Sequence, residues 1–460
     1  MPKKKTALTI EERLQQALVP AEEQPYEVPE NWVWVRLGSL LKEIKNGTTI
    51  KQDKSGNGFS VTRIESLQNQ TIDLMRVGTI LETEKIKETD WYKSGDITLS
   101  HINSIEHVGK TALITDAMLP LVHGMNLLRL RFFEIYTPDL FQLYSQTYQY
   151  KNEIRSRINM AVNQVSINQK QLSSLEIPLP PLSEQQRIVE HIEELFAKLD
   201  EAKERLQEVV DSFAVRKAAI LHKAFTGELT QQWRLENGVS DESWEEKTIG
   251  EICSSLKYGT SKKSSDDGEV VVLRMGNLQN GEIDWSNLAY TSDEEDIKKY
   301  LLKSGDVLFN RTNSPELVGK TSIYRGEMPA IYAGYLIKLD YEKNIVVGDY
   351  LNYYLNSSKA KEYYMQVKTD GVSQSNINAK KIGEFEIPLP TLSEQHEIVR
   401  LIDDLLARER AAQQAAEQAL ASIDLMKKSI LARAFRGELG TNKASEASAL
   451  ELLKQVMAEG

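Results

Sequence analysis

A long heptad-patterned segment occurs twice in this chain and constrains its fold more than any other feature. The first copy spans residues 182–229 and the second copy spans residues 392–439. In the first copy, apolar residues recur at alternating steps of four and three, the pattern of a helix that packs along its length on another helix. They are Ile188, Ile192, Leu195, Leu199, Ala202, Leu206, Val209 and Phe213. Because no Pro or Gly interrupts residues 183–222, we predict one helix about 40 residues and about 60 Å long.

The ends of this helix and its second copy carry further signals. Ser183 with Gln186 predicts a capping box, and Gly227 after Lys223 predicts the helix end. The second strip comprises Ile398, Ile402, Leu405, Glu409, Ala412, Ala416, Ala419 and Ile423. Three of these eight residues are alanine and one is charged. Large residues of the first helix would therefore meet small residues of the second. We infer that the two helices pack on each other, because two unrelated surface helices would not share one offset.

The duplication extends over the sequence that precedes each long helix. Matching segments are KNGTTI 45–50 and KYGTSK 257–262, SGDITL 94–99 and SGDVLF 304–309, VGKT 108–111 and 318–321, and IPLP 177–180 and 387–390. The offset between the copies drifts only from 212 to 210 residues. A period this long indicates a duplicated domain with its helix rather than a solenoid.

The pattern within each copy predicts an α+β head. Alternating and β-rich stretches predict short strands, and a helix is predicted over 137–158 and again over 348–367. The predicted parts are an arm over 1–30, head one over 31–181, a spacer helix over 182–229, a linker over 230–242, head two over 243–391, a second spacer helix over 392–439 and a tail over 440–460. We expect two similar globular heads joined by antiparallel helices in an intramolecular coiled coil with pseudo-two-fold symmetry.

Composition limits the class of protein. No run approaches 18 apolar residues, and the basic N-terminus lacks the apolar stretch of a signal peptide. The single Cys253 allows no intrachain disulfide, so the simplest expectation is a cytoplasmic protein. The net charge of −11 argues against a general polyanion binder, although it leaves room for a local nucleic-acid face.

Motifs for catalysis fail on inspection. VGKT would need a glycine where Ser104 and Ser314 stand to form a phosphate-binding loop. The six His and one Cys have no metal-ligand spacing, and the sequence lacks G-x-S-x-G and the N-P-P-Y motif of amino-methyltransferases. The sequence therefore predicts a non-catalytic chain with no metal or cofactor site.

Polar side chains at equivalent loop positions of the two heads are candidates for reading DNA bases. In head one they are Arg63, His101, Asn103, Asn126 and Gln164, and in head two they are Arg274, Asn277, Arg311, Asn313, Tyr335 and Gln374. Arginine suits a bidentate bond with guanine, and Asn or Gln suits adenine. In FNRTNSPELVGKT and its counterpart SHINSIEHVGKT the scaffold residues match while the tip residues differ. Two heads that read different sequences would show this pattern.

Several of these segments resemble a known family. IPLPPLSEQQRIVEHIEEL with AFTGEL, and IPLPTLSEQHEIVRLIDDL with AFRGEL, resemble the two spacer segments of the specificity subunit of type I restriction–modification systems. NRTNSPELVGKT resembles a segment common in the target recognition domains of that family. The resemblance covers residues 31–439. His396 replaces the Gln of the first capping box and Glu409 interrupts the seam, so we expect the second helix to be less stable by itself.

The resemblance implies a function for the chain. Each target recognition domain would read one half of a bipartite double-stranded DNA site, and the helices would set a gap of about six to eight base pairs. Two modification subunits would carry S-adenosylmethionine and methylate adenine at N6. Two restriction subunits would use ATP and Mg²⁺ to translocate and cleave DNA. Those activities would belong to the partner subunits.

Three alternatives remain open at this point. The chain could serve a methylation-only defence system, it could be a two-headed scaffold that binds proteins, or it could be a self-contained nuclease or methyltransferase. The scaffold predicts no effect of Arg311 or Asn313 on methylation. The seam makes a separate prediction, because a charged residue at Leu199 or Leu206 should disturb recognition of both half-sites together.

Overall fold

The computed structural model describes residues 9–53, 57–160, 164–372 and 374–459. The chain divides into two compact units. Unit 1 comprises the described residues up to Arg205 together with those from Ala419 onward, and unit 2 comprises Leu206–Gln418. Each unit therefore contains one head and a part of each long helical segment.

The helices and strands follow the chain in this order. The α-helices of the described residues are α1 Ile10–Ala17, α2 Pro138–Tyr144, α3 Tyr148–Arg157, α4 Gln169–Ser173, α5 Leu182–Asp211, α6 Phe213–Phe225, α7 Gln231–Asn237, α8 Ile249–Ile252, α9 Glu294–Tyr300, α10 Gly348–Leu355, α11 Ser358–Val367, α12 Ala379–Gly383, α13 Leu392–Ala434 and α14 Ala449–Glu459. The strands of head one are β1 Val33–Arg36, β2 Leu41–Asn46, β3 Phe59–Val61, β4 Leu67–Gln68, β5 Thr71–Ile72, β6 Gly78–Ile80, β7 Ile97–Ser100, β8 Ile102–Asn103, β9 Thr111–Leu113, β10 Leu127–Phe132, β11 Asn159–Met160, β12 Val165–Ser166 and β13 Glu176–Leu179. The strands of head two are β14 Glu245–Thr248, β15 Cys253–Tyr258, β16 Val270–Leu273, β17 Leu278–Gln279, β18 Glu282–Ile283, β19 Tyr290–Thr291, β20 Val307–Asn310, β21 Thr312–Asn313, β22 Thr321–Ile323, β23 Ala330–Tyr332, β24 Leu336–Tyr341, β25 Thr369–Asp370, β26 Ser375–Asn376 and β27 Glu386–Leu389.

Unit 1 is built around a four-stranded antiparallel sheet of order β2-β10-β7-β9. Strand β10 is buried on both faces, because Leu128 and Leu130 belong to the main core and Leu127 belongs to a second apolar cluster. Side chains of the sheet, of α2 and α3 and of both long helices share the main core. Among them are Leu128, Leu130, Phe141, Tyr150, Ile154, Ile188, Ile192, Leu431 and Phe435. The head of unit 1 is thus packed directly on its helices.

Unit 2 repeats this arrangement. Its central sheet has the order β15-β24-β20-β22, which matches the order in unit 1 strand for strand. Its core likewise combines the sheet, α10 and both helical segments, through residues such as Leu221, Ile337, Leu339, Tyr350, Ile398 and Ile402. The predicted α+β fold of two similar domains with long helices is confirmed.

The long helices run antiparallel in unit 1, and they are also joined by an ion pair in unit 2. In unit 1, Lys427 Nζ of α13 lies 2.6 Å from Asp200 of α5, and Lys203 lies 3.8 Å from Asp424. In unit 2, Arg216 Nε of α6 lies 2.5 Å from a carboxylate oxygen of Glu409. In unit 1, a later position on α5 thus has an earlier partner on α13. Glu409, which interrupts the apolar strip, therefore takes part in an ion pair between the helices.

The predicted seam is buried over most of its length. Ile188, Ile192, Ile398, Ile402, Ala416 and Ile423 are buried, and Leu195, Leu199, Ala202, Leu206, Phe213, Leu405 and Ala419 are half-buried. Two seam positions were predicted wrongly, because Val209 and Ala412 are exposed. Gln413, one position after Ala412, is half-buried instead. A straight helix of 3.6 residues per turn drifts away from a strict heptad, which accounts for that shift.

The single helix predicted over residues 183–222 is also wrong, because a break at Ser212 separates α5 from α6. The carbonyl of Val209 accepts hydrogen bonds from the Ser212 hydroxyl, at 3.1 Å, and from the Arg216 guanidinium, at 3.2 Å. These side chains compete with the helical backbone bond at this point. The second copy is continuous, since α13 is one helix of 43 residues.

Two smaller expectations about helix ends need correction. The amides of Glu184 and Gln185 donate to the carbonyl of Pro181, so Ser183 lies inside α5 and is not its N-cap. The helix predicted over 137–158 is two helices, because the Thr147 hydroxyl caps α3 by accepting the N–H of Tyr150 at 3.1 Å. Ser357 caps α11 in the same way and divides the helix predicted over 348–367. Hydroxyl side chains that compete with the helical ladder explain both breaks.

The arm and the tail meet in unit 1. The Thr9 hydroxyl and Glu12 form a capping box at the start of α1, the short helix of the arm. Arg13 Nη1 donates to the carbonyl of Met457 in α14 at 3.3 Å, and the amide of Ala449 donates to the carbonyl of Asn31 at 2.9 Å. The sequence left the role of both segments open. The structure packs both segments on the core of unit 1.

Across the described ranges, no helix combines the length and the apolar character needed to cross a membrane.

A buried histidine in head one predicts acid sensitivity. The His123 ring is 1% exposed, and its Nε2–H donates to the carbonyl of Leu127 at 3.0 Å. Burial, with a smaller effect of Arg129, lowers the pKa of His123 from 6.5 to about 3. The unfolded chain binds this proton below pH 6.5 whereas the folded chain does not, so this stability is present above pH 6.5 and is lost as the pH falls toward 3.

We expect this histidine to cost unit 1 about 2 kcal/mol of stability between pH 7 and pH 5. The measurement is the free energy of opening of β10 by native-state hydrogen exchange at both pH values. His123→Gln keeps an amide donor but does not titrate, so it should lose about 2 kcal/mol less than wild type over the same range. Equal losses of stability in wild type and His123→Gln would exclude His123 as the source of the acid sensitivity.

Candidate nucleic-acid interface

Four of the five candidates in head one lie together at the end of the central sheet. His101 follows β7 and lies beside Asn126, which precedes β10, because Ser100 of β7 pairs with Leu127 of β10. Asn103 in β8 is paired with Val165 of β12, directly after Gln164. Burial lowers the pKa of His101, so the ring is neutral at pH 7 and can accept or donate one hydrogen bond at an edge.

The equivalent cluster in head two is built around Arg311. The amide of Arg311 donates to the carbonyl of Tyr335 at 3.0 Å, and Arg311 Nη2 donates to Asn376 Oδ1 at 3.2 Å. Its guanidinium carbon lies 4.8 Å from the centre of the Tyr258 ring. Stacking on an aromatic ring holds a guanidinium in place without neutralising it. The Tyr335 side chain is half exposed beside it.

The two clusters occupy the same places in the fold. The carbonyl of His101 accepts the N–H of Ile167 at 2.9 Å, and the carbonyl of Arg311 accepts the N–H of Ile377 at 2.9 Å. Asn313 of β21 pairs with Ser375, next to Gln374, as Asn103 pairs with Val165. The backbone frame is therefore shared. His101 and Asn126 in one head correspond to Arg311 and Tyr335 in the other.

The asparagines at these tips have a structural part as well. Asn103 Oδ1 accepts the N–H of Ser104 at 2.8 Å, and Asn313 Oδ1 accepts the N–H of Ser314 at 2.8 Å. Asn126 has a φ of 66°, a left-handed conformation that asparagine tolerates better than most residues. Gln164 and Gln374, in contrast, are exposed at the same edge.

Arg63 and Arg274 lie outside these clusters, each at the start of a short 3-10 turn that follows β3 or β16. Arg63 Nε lies 2.8 Å from Glu65, and Arg274 Nη2 donates to Asn287. The predicted base contact of Asn277 needs correction. Its side chain is 3% exposed and forms hydrogen bonds with the backbone of Arg274, Asp284 and Asn287. A base contact by Asn277 would require this loop to open. We therefore assign Asn277 a structural role.

The local structure also explains why each VGKT motif has a glycine. Gly109 and Gly319 have φ values of +80° and +92°. A Cβ on Gly109 would lie 2.8 Å from Ile154 of α3, and a Cβ on Gly319 would lie 2.2 Å from the Tyr364 ring of α11. The motif therefore lets a loop approach a helix closely. Within the described part of the chain, no group of three or more His, Cys, Asp and Glu side chains is placed to hold a metal ion.

Sequence reasoning missed a pair of buried polar residues at the start of each long helix. Gln185 Oε1 accepts the N–H of Thr137, while its Nε2 donates to the carbonyls of Ile135 and Pro180, at 2.8–3.0 Å. Gln395 makes the same three bonds with Val347, Ile345 and Pro390. Each glutamine ties its helix to its head. The sequence LSEQ is identical in both copies, and that identity was the available signal.

The glutamate before each glutamine is fully buried. Glu184 accepts the indole N–H of Trp32 at 2.7 Å, and Glu394 accepts that of Trp244 at 3.2 Å. The remaining partners come from the segment that follows the other long helix. Thr441 and Asn442 bond Glu184, and Thr230 and Arg234 bond Glu394. In each unit, one buried glutamate carboxylate therefore links three separate parts of the chain.

A family model described as a type I restriction modification DNA specificity domain matches this chain twice, over residues 29–211 and 241–419. The two similar α+β heads with their helices are thus a duplicated DNA specificity domain. The chain belongs to the specificity subunits of type I restriction–modification systems. It is accordingly a non-catalytic component of such a system.

Individual relatives and structures agree with this assignment. The chain is 34% identical to the MjaX specificity subunit of Methanocaldococcus jannaschii over 85% of this chain and 92% of that protein. It is 27% identical to the EcoKI specificity subunit of Escherichia coli strain K12 over 94% of this chain and 96% of that protein. The crystal structure of the HsdS subunit from Thermoanaerobacter tengcongensis has the same fold, with a TM-score of 0.65, 20% identity and coverage of 91% of this chain and 100% of that one.

Proposed function

We propose that head one and head two each read one half of a bipartite DNA sequence. The observation that carries this proposal is the pair of equivalent clusters, in which one backbone frame holds His101 and Asn126 in one head and Arg311 and Tyr335 in the other. Different donors and acceptors on an identical frame are what two readers of different half-sites need.

We infer that the long helices fix the spacing of the two half-sites. The 43 residues of α13 form one helix about 64 Å long at 1.5 Å per residue. Such a helix is stiff compared with a loop of equal length, so the gap in the target would be constant. The proposed gap of about six to eight base pairs places the half-sites about one helical turn of DNA apart.

The partners follow from the same assignment. Specificity subunits act with DNA and with other subunits of the restriction–modification system. We propose that two modification subunits dock on this chain and methylate adenine N6 in each half-site, using S-adenosylmethionine bound in their own sites. Two restriction subunits with ATP and Mg²⁺ would complete the assembly. We also propose the domain boundaries. The two target recognition domains would span residues 31–181 and 243–391, and the two spacer helices would span residues 182–229 and 392–439.

The experiment is a genome-wide map of N6-methyladenine in a host that carries this chain and its modification subunit. A second map from the same host with this chain deleted is the control. A single split motif with a constant gap should lose methylation on deletion. If every methylated motif persists while the modification subunit is active, the DNA-reading proposal fails and a scaffold that binds proteins becomes the better account.

Arg311 gives a sharper test within head two. Its Nε is buried without a hydrogen-bond partner among the residues described, and Nη1 reaches the carbonyl of Gly334 only at 3.5 Å. The guanidinium is thus held in place and still has donors to offer. Arg311→Ala should lower affinity for the cognate duplex by about 5–150-fold, which corresponds to about 1–3 kcal/mol for a bidentate base contact.

The measurement is titration of labelled duplexes with the assembled modification complex. The loss should be confined to one half-site, so the variant should no longer distinguish a duplex altered in that half from the cognate one. Arg408→Ala, which removes an exposed arginine paired with Asp404 on α13, is the matched control and should bind as wild type does. Unchanged discrimination in Arg311→Ala would remove Arg311 from the reading surface.

A further inference from the structure

Head one contains a concave site that base reading does not explain. The cavity has a volume of about 380 Å³ and lies between the β4–β5 hairpin, the VGKT loop and α3. Its apolar floor is formed by Val108, Tyr150 and Ile154, which are at most 8% exposed. The Tyr150 hydroxyl is already engaged, since it donates to the carbonyl of Gly109 at 2.9 Å. The floor is therefore rigid and offers little polarity of its own.

The rim of this cavity is positively charged. Lys110, Lys151 and Arg155 line it, and within the described residues none of the three forms an ion pair. Burial, followed by the positive charges of Lys428, Arg155 and Lys110, lowers the pKa of Lys151. Glu106 is the one carboxylate among the lining residues, and it makes no ion pair with these cations in the described ranges. Like charges that converge without a counterion favour binding of an anion.

The corresponding place in head two keeps only two of the three cations, Lys320 and Lys361, the second standing where head one has Lys151. Lys320, which corresponds to Lys110, donates to Gln279 Oε1 at 2.9 Å. Met365 stands in α11 where head one has Arg155, and the Tyr364 ring replaces Ile154 against the glycine of VGKT. The shared frame therefore does not require the cation cluster. It is a property of head one.

We propose that this cavity of head one binds a phosphate group through Lys110, Lys151 and Arg155. A phosphate offers several acceptor oxygens and matches both the ammonium groups and the planar guanidinium. The group could belong to the DNA backbone, in which case the inference rests on the proposed function, or to a free phosphorylated ligand. In neither case would it contribute sequence information, since phosphate contacts position a protein and do not specify bases.

The test uses the full chain assembled with its modification subunits. The cavity variant is Lys151→Gln with Arg155→Met, which introduces the residue that head two has. The control variant is Lys198→Gln with Arg205→Gln, which removes two exposed cations that are paired with glutamates on α5. Each protein is titrated with inorganic pyrophosphate at constant ionic strength while the thermal midpoint of unfolding is followed. Each is also titrated with duplex DNA over a range of salt concentrations.

We expect pyrophosphate to raise the midpoint of wild type and of the control, and to have no effect on the cavity variant. If the DNA backbone supplies the phosphate, the slope of log K against log salt should fall in magnitude by about 1 in the cavity variant, because the contact with that one phosphate is lost. If the slope is unchanged while the pyrophosphate response is lost, a free phosphorylated ligand is the source. Both results support the phosphate site.

The proposal is overturned if the cavity variant matches wild type in both titrations. It is overturned equally if pyrophosphate stabilises none of the proteins and the salt slope does not change. Its failure is distinct from a failure of the proposed function. A chain that responds to pyrophosphate but shows no preference for any DNA sequence would keep the cavity and lose the base-reading role.

Discussion

Replacement of Arg234 by alanine is expected to destabilise unit 2 by about 3–5 kcal/mol, because it leaves the Glu394 carboxylate buried without its cation. Glu394 is fully buried, and Arg234 Nη1 lies 2.7 Å from its Oε1 while also donating to the Thr230 hydroxyl at 3.0 Å. The indole N–H of Trp244 and the Thr230 hydroxyl remain as donors. They are neutral, so they cannot replace the lost charge.

The measurement is hydrogen exchange of α10 and β24, which reports on unit 2 alone. The control is Arg400→Ala on α13, where an exposed Arg–Glu pair with Glu397 contributes at most about 1 kcal/mol. A second variant, in which Arg234→Met is combined with Glu394→Gln, removes both charges and should recover part of the stability. If Arg234→Ala and Arg400→Ala have the same effect, the buried pair is not a major support of unit 2.

Replacement of Gly319 by alanine should cost unit 2 roughly 2–5 kcal/mol. Two physical effects add at this position. The φ of +92° disfavours any residue with a Cβ, and the added Cβ would lie 2.2 Å from the buried Tyr364 ring. Tyr364 cannot move away freely, because it is 2% exposed and its hydroxyl donates to the carbonyl of Leu355 at 2.9 Å. Overlap with a fixed ring displaces α11 or the loop.

Gly238→Ala separates the two effects. Gly238 has a φ of +65°, and a Cβ there would meet nothing within 4 Å, so only the backbone cost of about 1–2 kcal/mol should appear. Chemical denaturation with hydrogen exchange of α11 as the readout compares the two variants. Equal losses would mean that the close approach of the VGKT loop to α11 contributes nothing beyond backbone conformation.

The parts of the fold that the sequence predicted are those with a repeated pattern. The duplication placed two α+β heads and two antiparallel helices, because spacing of Ile and Leu residues survives in both copies. The break at Ser212 could not be predicted in this way. It depends on Arg216 reaching back to the carbonyl of Val209, a contact that arises in only one of the two copies.

The candidate site was predicted less completely than the fold. Residue type and loop position selected His101 and Arg311 as candidates for base reading, which stays a prediction, and the structure places the two at one position of the shared frame. They were not enough to exclude Asn277, because an asparagine that supports its own loop and one that meets a base look the same in sequence. Burial and the three backbone bonds of Asn277 decide the matter. Glu184 and Gln185 were missed for the opposite reason, since polar residues in a helix suggest a solvated face.

The division of the chain between its units has a consequence for synthesis. Unit 2 is one continuous stretch, Leu206–Gln418, whereas unit 1 needs α14 and the last part of α13. During translation, we therefore expect the core of head one to wait without Leu431, Phe435 and Leu453 while about 200 further residues are made and unit 2 folds. The domain that begins first is completed last. A ribosome that stalls within residues 206–418 would leave an apolar surface that chaperones and proteases recognise.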